Sequence, residues 1–113
     1  MDLRKFRRAN VEYPVSFSGD GLSGKGMTCN LTTQGCGIRS DTPVTQGAYL
    51  TLHIHLPESP TPLLIEMAAV RWARTTEFGA NFVSMPEAER ERLRRTLGAL
   101  ERTAAGLPPD RPA

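Results

Sequence analysis

"YLTLHIHL", residues 49 to 56, alternates without a break: Leu50, Leu52, Ile54 and Leu56 fall on one parity, and Tyr49, Thr51, His53 and His55 on the other. A period of two is that of a strand whose successive side chains point to opposite faces. The apolar set is expected inward and the other set outward. Upstream, "VEYPVSFS" (11–18) repeats the pattern with Val11, Tyr13, Val15 and Phe17 inward, and Pro14 within it argues for an edge or a bulge. "GDGLSG" (19–24) is glycine-rich loop material that makes a hairpin to the next strand.

In "MTCNLT" (27–32) simple alternation sets Met27, Cys29 and Leu31 on the inner face and Thr28, Asn30 and Thr32 side by side on the outer one. Gly35 and Gly37 bracket Cys36 ahead of "IRS", a short third strand. After the proline-marked loop "PESPTP", "LLIEMAAVRWAR" is apolar on both parities, the mark of a long strand that bends or bulges near Ala68 and Ala69. "FGANFVS" supplies a sixth strand. Six strands with turns between them and no interposed helix predict a small antiparallel barrel or sandwich. Only the C-terminal part reads as helix: Ser84 and Glu87 fit a capping box, Leu93, Leu97 and Leu100 recur at helical spacing, and Glu91 with Arg95 makes an i,i+4 pair. The helix arginines are expected on a solvated face.

The chain has 113 residues, the size of one domain. The expected division is a basic arm over 1–10, a barrel with its helix over 11–103 and a flexible tail over 104–113. No run approaches the length of a membrane span and no apolar stretch follows the basic N-terminus, so a cytoplasmic location is expected. Cys29 and Cys36 match no common zinc spacing and are expected as reduced thiols. His53 and His55 point the same way but lack further ligands nearby, and no pair of carboxylates is placed for acid–base work. Catalysis, a cofactor and a metal are therefore not expected.

Charge is uneven. Arg4, Lys5, Arg7 and Arg8 against Asp2 give the first eight residues +3, which leaves −1 of the formal +2 for the rest. A cationic arm on a near-neutral body suits a small anion better than a long polyanion. If "RKFRR" is extended, Arg4, Phe6 and Arg8 share one side, and two guanidinium forks can take phosphate oxygens or the N7 and O6 edge of guanine. Asn30 offers a donor and an acceptor to such an edge, Thr32 a hydroxyl from the same face, and Gly35 a positive φ or a close backbone approach.

An Arg-x-x-x-Arg segment (Arg4, Arg8) followed by Asn-x-Thr-x-x-Gly (Asn30, Thr32, Gly35) resembles the PilZ domain, as do "VRW", "FGANF" and the helix "EAERERLRRTL". The resemblance implies a six-stranded antiparallel β-barrel with one C-terminal α-helix, and a receptor for cyclic di-GMP. It gives the phosphates and guanine edges to Arg4 and Arg8, a guanine to Asn30 and Thr32, and the tight turn to Gly35. Leu3, Lys5 and Arg7 are secondary contacts on this reading, with Leu3 placed to influence whether one ligand or a stacked pair is held. Thr32 stands where the family usually has serine and Cys36 where a second glycine is common, so affinity is what these departures touch. The implied output is a downstream protein of motility, biofilm or pilus control, reached as the arm becomes ordered on binding. Two other classes compete: a PilZ-like adaptor that works through protein contacts alone, disfavoured by the intact arginine pair, and a barrel that binds single-stranded RNA, disfavoured by too few outward aromatics.

Overall fold

The structure is a computed structural model that describes residues 9–19 and 21–104. Six strands, β1 (Ala9–Gly19), β2 (Leu22–Leu31), β3 (Gly35–Arg39), β4 (Tyr49–Ile54), β5 (Leu63–Ala73) and β6 (Glu77–Ser84), precede one helix, α1 (Glu87–Ala104). They form a closed antiparallel barrel in the order β1-β2-β3-β6-β5-β4, and β1 pairs with β4 to shut the ring. The alternation read from the sequence builds the interior: Tyr13, Val15 and Phe17 of β1 and Leu50, Leu52 and Ile54 of β4 are buried, with Leu56 just beyond. Phe17 and Phe78 meet edge to face at 5.3 Å in the middle of it.

Pro14 sits on neither an edge nor a bulge of its own. It pairs with Met27, and its carbonyl accepts from His55 N, just past the end of β4, so the donor that proline lacks faces the barrel rim. The β1–β2 hairpin is also tighter than expected, because β1 runs to Gly19 and β2 begins at Leu22, taking up half of the glycine-rich stretch. Likewise Gly35 and Gly37 lie inside β3 and not in a turn before it.

Bulges account for the largest departures from simple alternation. Between Thr28 and Asn30 the β2–β3 register slips by one residue, so Cys29 is extra. Thr28 therefore turns into the core, its Oγ1 without a hydrogen-bond partner, while Asn30 stays outward and Leu31 inward. The outward placement expected for Thr28 was wrong for this reason, and Met27 and Cys29 are only half-buried. β5 carries the bulge expected near Ala68, against β4 between Ile65 and Ala68, and a second one against β6 at Arg71 that the sequence did not announce.

The helix buries Leu93 against the barrel and packs mainly on β5 and β1. Its capping box does not form: Ser84 Oγ donates to Glu66 at 3.1 Å, and the Pro86 carbonyl accepts the first helical bonds, from Glu89 and Arg90 N at 3.0 Å. Glu91 pairs with Arg94 at 2.7 Å, three residues on, in place of Arg95. Arg92 is no solvated cation. It donates to Pro62 O, Glu89 Oε1, Ser59 Oγ and Thr61 O at 2.7–3.2 Å and fastens α1 to the β4–β5 loop.

Candidate functional site

The turn from β2 to β3 is held by its own side chain. Thr32 Oγ1 accepts from Gln34 N at 2.9 Å and Gly35 N at 3.0 Å and donates to Gly35 O at 3.3 Å, while Thr32 N donates to Gly35 O at 2.9 Å. One donor and two lone pairs are all that a hydroxyl has, so Thr32 is fully committed to the turn. Phe82 N donates to Gln34 O at 2.8 Å and pins the turn to β6. Gly35 has no positive φ; its requirement is close approach, since a Cβ there would run into the Ala80 carbonyl oxygen.

One row of residues runs across the outside of four strands beside this turn. Asn30 stands opposite Gly37, Gly37 opposite Gly79, and Gly79 opposite Trp72. At about 4.8 Å between strands, the row is roughly 14 Å wide. Both outer residues lean inward over the glycines: a Cβ on Gly37 would lie 2.7 Å from Asn30 Nδ2, and one on Gly79 would run into the Trp72 indole nitrogen. Two adjacent glycines thus make the floor of a platform, with the Asn30 amide over one and the Trp72 indole over the other. Trp72 remains 40% exposed, and the Arg74 guanidinium carbon lies 5.2 Å from its ring centroid. Such a surface offers stacking from the indole and paired donor and acceptor atoms from the amide, which is what a nucleobase recognises.

Of the residues singled out from the sequence, Asn30, Thr32 and Gly35 come together here. Arg4 and Arg8, with Leu3, Lys5 and Arg7, lie outside the described residues. Ala9, the first residue of β1, stands opposite Leu31, the last of β2, so the segment that follows Arg8 starts at the turn. His53 and His55 are exposed, and among the described residues no group of three metal-ligating side chains occurs. Cys29 and Cys36 are both free thiols; burial, and secondarily Cys29, pushes the Cys36 thiol up to about 12. A cavity of about 540 Å³ lies apart from the platform, between α1 and residues 56–59. Burial and then Glu58 raise the Tyr13 phenol that lines it.

Trp72, Gly37 and Gly79 were not assigned to the site from the sequence. The signal that marks them is a glycine at an outward position in mid-strand, twice, on neighbouring strands, where nothing but close approach calls for glycine.

A family model, the PilZ domain, matches residues 2–99. The chain belongs to the PilZ domain family. Among solved structures, this PilZ domain is similar to that of YcgR from Escherichia coli with c-di-GMP, with 14% identity over 93% of this chain and 96% of that one and a TM-score of 0.74. It is similar to the PilZ domain of CeSA from a cellulose-synthesizing bacterium, with 15% identity over 84% and 98% and a TM-score of 0.68. It is similar, too, to the Bacillus subtilis inhibitor of motility MotI/DgrA, with 19% identity and a TM-score of 0.68 over 87% of this chain, where it spans 53% of the relative's length. A search of curated proteins returns no match. At these identities the likeness establishes the six-stranded PilZ barrel with its C-terminal helix, the architecture read from the sequence. No helix among the described residues is long and apolar enough to cross a membrane.

Proposed function

We propose that this PilZ domain is a receptor for cyclic di-GMP in the cytoplasm, and that it signals to a partner protein by ordering its N-terminal arm over the bound ligand. The observation that carries the reading is the platform of Asn30 and Trp72 over Gly37 and Gly79, with the segment bearing Arg4 and Arg8 joined to the barrel beside it. Arg8 precedes Ala9 directly and Arg4 is five residues away, a reach of about 17 Å when extended. The longer reach is comparable to the width of the platform. Asn30 supplies the amide for a guanine edge, Gly35 lets β3 approach β6, and Thr32 shapes the turn; a bond from its hydroxyl to ligand would exchange for one within the turn. Lys5, Arg7 and Leu3 are secondary contacts. No step of chemistry is involved: PilZ domains serve as receptors or adaptors.

Calorimetric titration with cyclic di-GMP, beside GTP and cyclic GMP, tests the reading. Wild-type protein is expected to bind the cyclic dinucleotide alone, and Arg4→Ala or Arg8→Ala to lose about 2–4 kcal/mol of binding with the fold intact. Equal affinity in both variants, or no binding by the wild type, would refute it. In that event the adaptor reading takes its place, for which the exposed Tyr49, Met67 and Val83 on the β4–β5–β6 face offer apolar contact.

A further inference from the structure

The second bulge of β5 turns two consecutive side chains outward. Val70 pairs with Ala80 and Trp72 with Gly79, which leaves Arg71 with no opposite residue on β6. Val70 is buried while Arg71 and Trp72 are both exposed, so the arginine stands at the border of the indole and not on the other side of the strand. On the β4 side Val70 bonds to Gly47 and Ala48, and on the β6 side the neighbours are Gly79 and Ala80. Among the described residues Arg71 has neither an ion pair nor a hydrogen-bonded partner, whereas Arg92 and Arg94 on the helix are both paired. An unpartnered guanidinium is common on a surface; one held beside an exposed indole on a glycine floor is placed for a planar ligand. The Arg74 guanidinium lies over the ring, a planar group in the place that a stacking base would take by displacing it.

We propose that Arg71 is a specificity-determining contact of this site: it takes the N7 and O6 edge of the guanine that stacks on Trp72, on the far side of the platform from Asn30. The inference rests on the cyclic di-GMP reading above and adds a second reader of the base. Arg71 presents two parallel N–H groups, the match for two adjacent acceptors on guanine; adenine offers an amino donor at the corresponding position and is rejected.

A chemical double-mutant cycle tests it. Cyclic di-GMP and its 7-deazaguanine analogue, which keeps both phosphates and loses N7, are titrated into wild type, Arg71→Ala and Arg71→Lys, with calorimetry and the fluorescence of the single tryptophan as readouts. Arg71→Ala is expected to weaken cyclic di-GMP about tenfold. The wild-type preference for the natural ligand over the analogue should shrink by a similar factor in that variant. Lysine keeps the charge without the fork and should rescue little. Unchanged affinity in Arg71→Ala, an N7 preference retained in full, or complete rescue by lysine would each overturn the proposal while leaving the receptor reading in place. A wild type that does not bind cyclic di-GMP overturns both. Thermal melting of the variants confirms the fold, which an exposed and unpartnered side chain should not affect.

Discussion

Gly79→Ala separates the platform from the barrel that carries it. The backbone at Gly79 has no positive φ, so an L-residue is acceptable there. What the new methyl meets is the indole: it would run into Trp72 Nε1 and stand 2.5 Å from Cε2 and 2.9 Å from Cζ2. Ordinary carbon contacts lie near 3.5 Å, so the ring must lift by about 1 Å. Trp72 is already 40% exposed and free to move outward, so the strain is relieved by the side chain and not by the sheet. Baring some 40 Å² of ring at about 25 cal/mol per Å² gives a loss near 1 kcal/mol, or roughly 4–8 °C in melting temperature. The consequence for ligand is larger, because a base stacked on a displaced indole forfeits about 1–3 kcal/mol. The sequence has one tryptophan, so intrinsic emission reports on this residue alone: the free variant should emit further to the red, and its cyclic di-GMP affinity should fall about tenfold or more. Wild-type emission together with wild-type affinity would refute the idea that Gly79 is glycine to seat Trp72.

Gly35→Ala should behave oppositely, because its methyl meets the Ala80 carbonyl and lies 3.3 Å from Asn81 Cα, both backbone. Denaturant titration should show β3 and β6 pushed apart as a loss of stability of about 1–3 kcal/mol. Arg92→Ala removes three hydrogen bonds that tie α1 to the β4–β5 loop and one to Glu89 within the helix, and should cost about 2 kcal/mol by the same assay, with ligand affinity unchanged. The Cys36 thiol is held protonated to about 12 in the folded chain, while in the unfolded chain it ionises near 9, its ordinary value. Above pH 9 the unfolded state therefore binds fewer protons, and stability should decline by up to about 1.4 kcal/mol per pH unit until pH 12, a slope that Cys36→Ala removes.

The strands were legible where one face is buried and pairing is regular. Leu50, Leu52 and Ile54 alternate because every second residue of β4 meets the same core. At Thr28 the same rule failed, since one extra residue at Cys29 exchanges the faces, and nothing in "MTCNLT" favours a bulge over plain alternation. Ser84 looked like a cap because its spacing to Glu87 is right, but Glu66 on the neighbouring strand claims the hydroxyl first. In the site, the turn residues were visible as a local motif, whereas Trp72 and its glycine floor come from three strands whose adjacency exists only after folding. Arg92 was misread for a similar reason: its partners lie about thirty residues away in sequence.

The six strands close on one another, so within the described residues every strand has a neighbour on both sides, even though β1 meets β4 only over residues 15–18 and β2 meets β3 only over residues 27–31. A partner finds no full-length edge to extend with a strand of its own, as it would on an open sheet. Recognition of this barrel is therefore written mainly in side chains, and substitutions on its outer surface can change what it speaks to while the ring of hydrogen bonds beneath stays as it is.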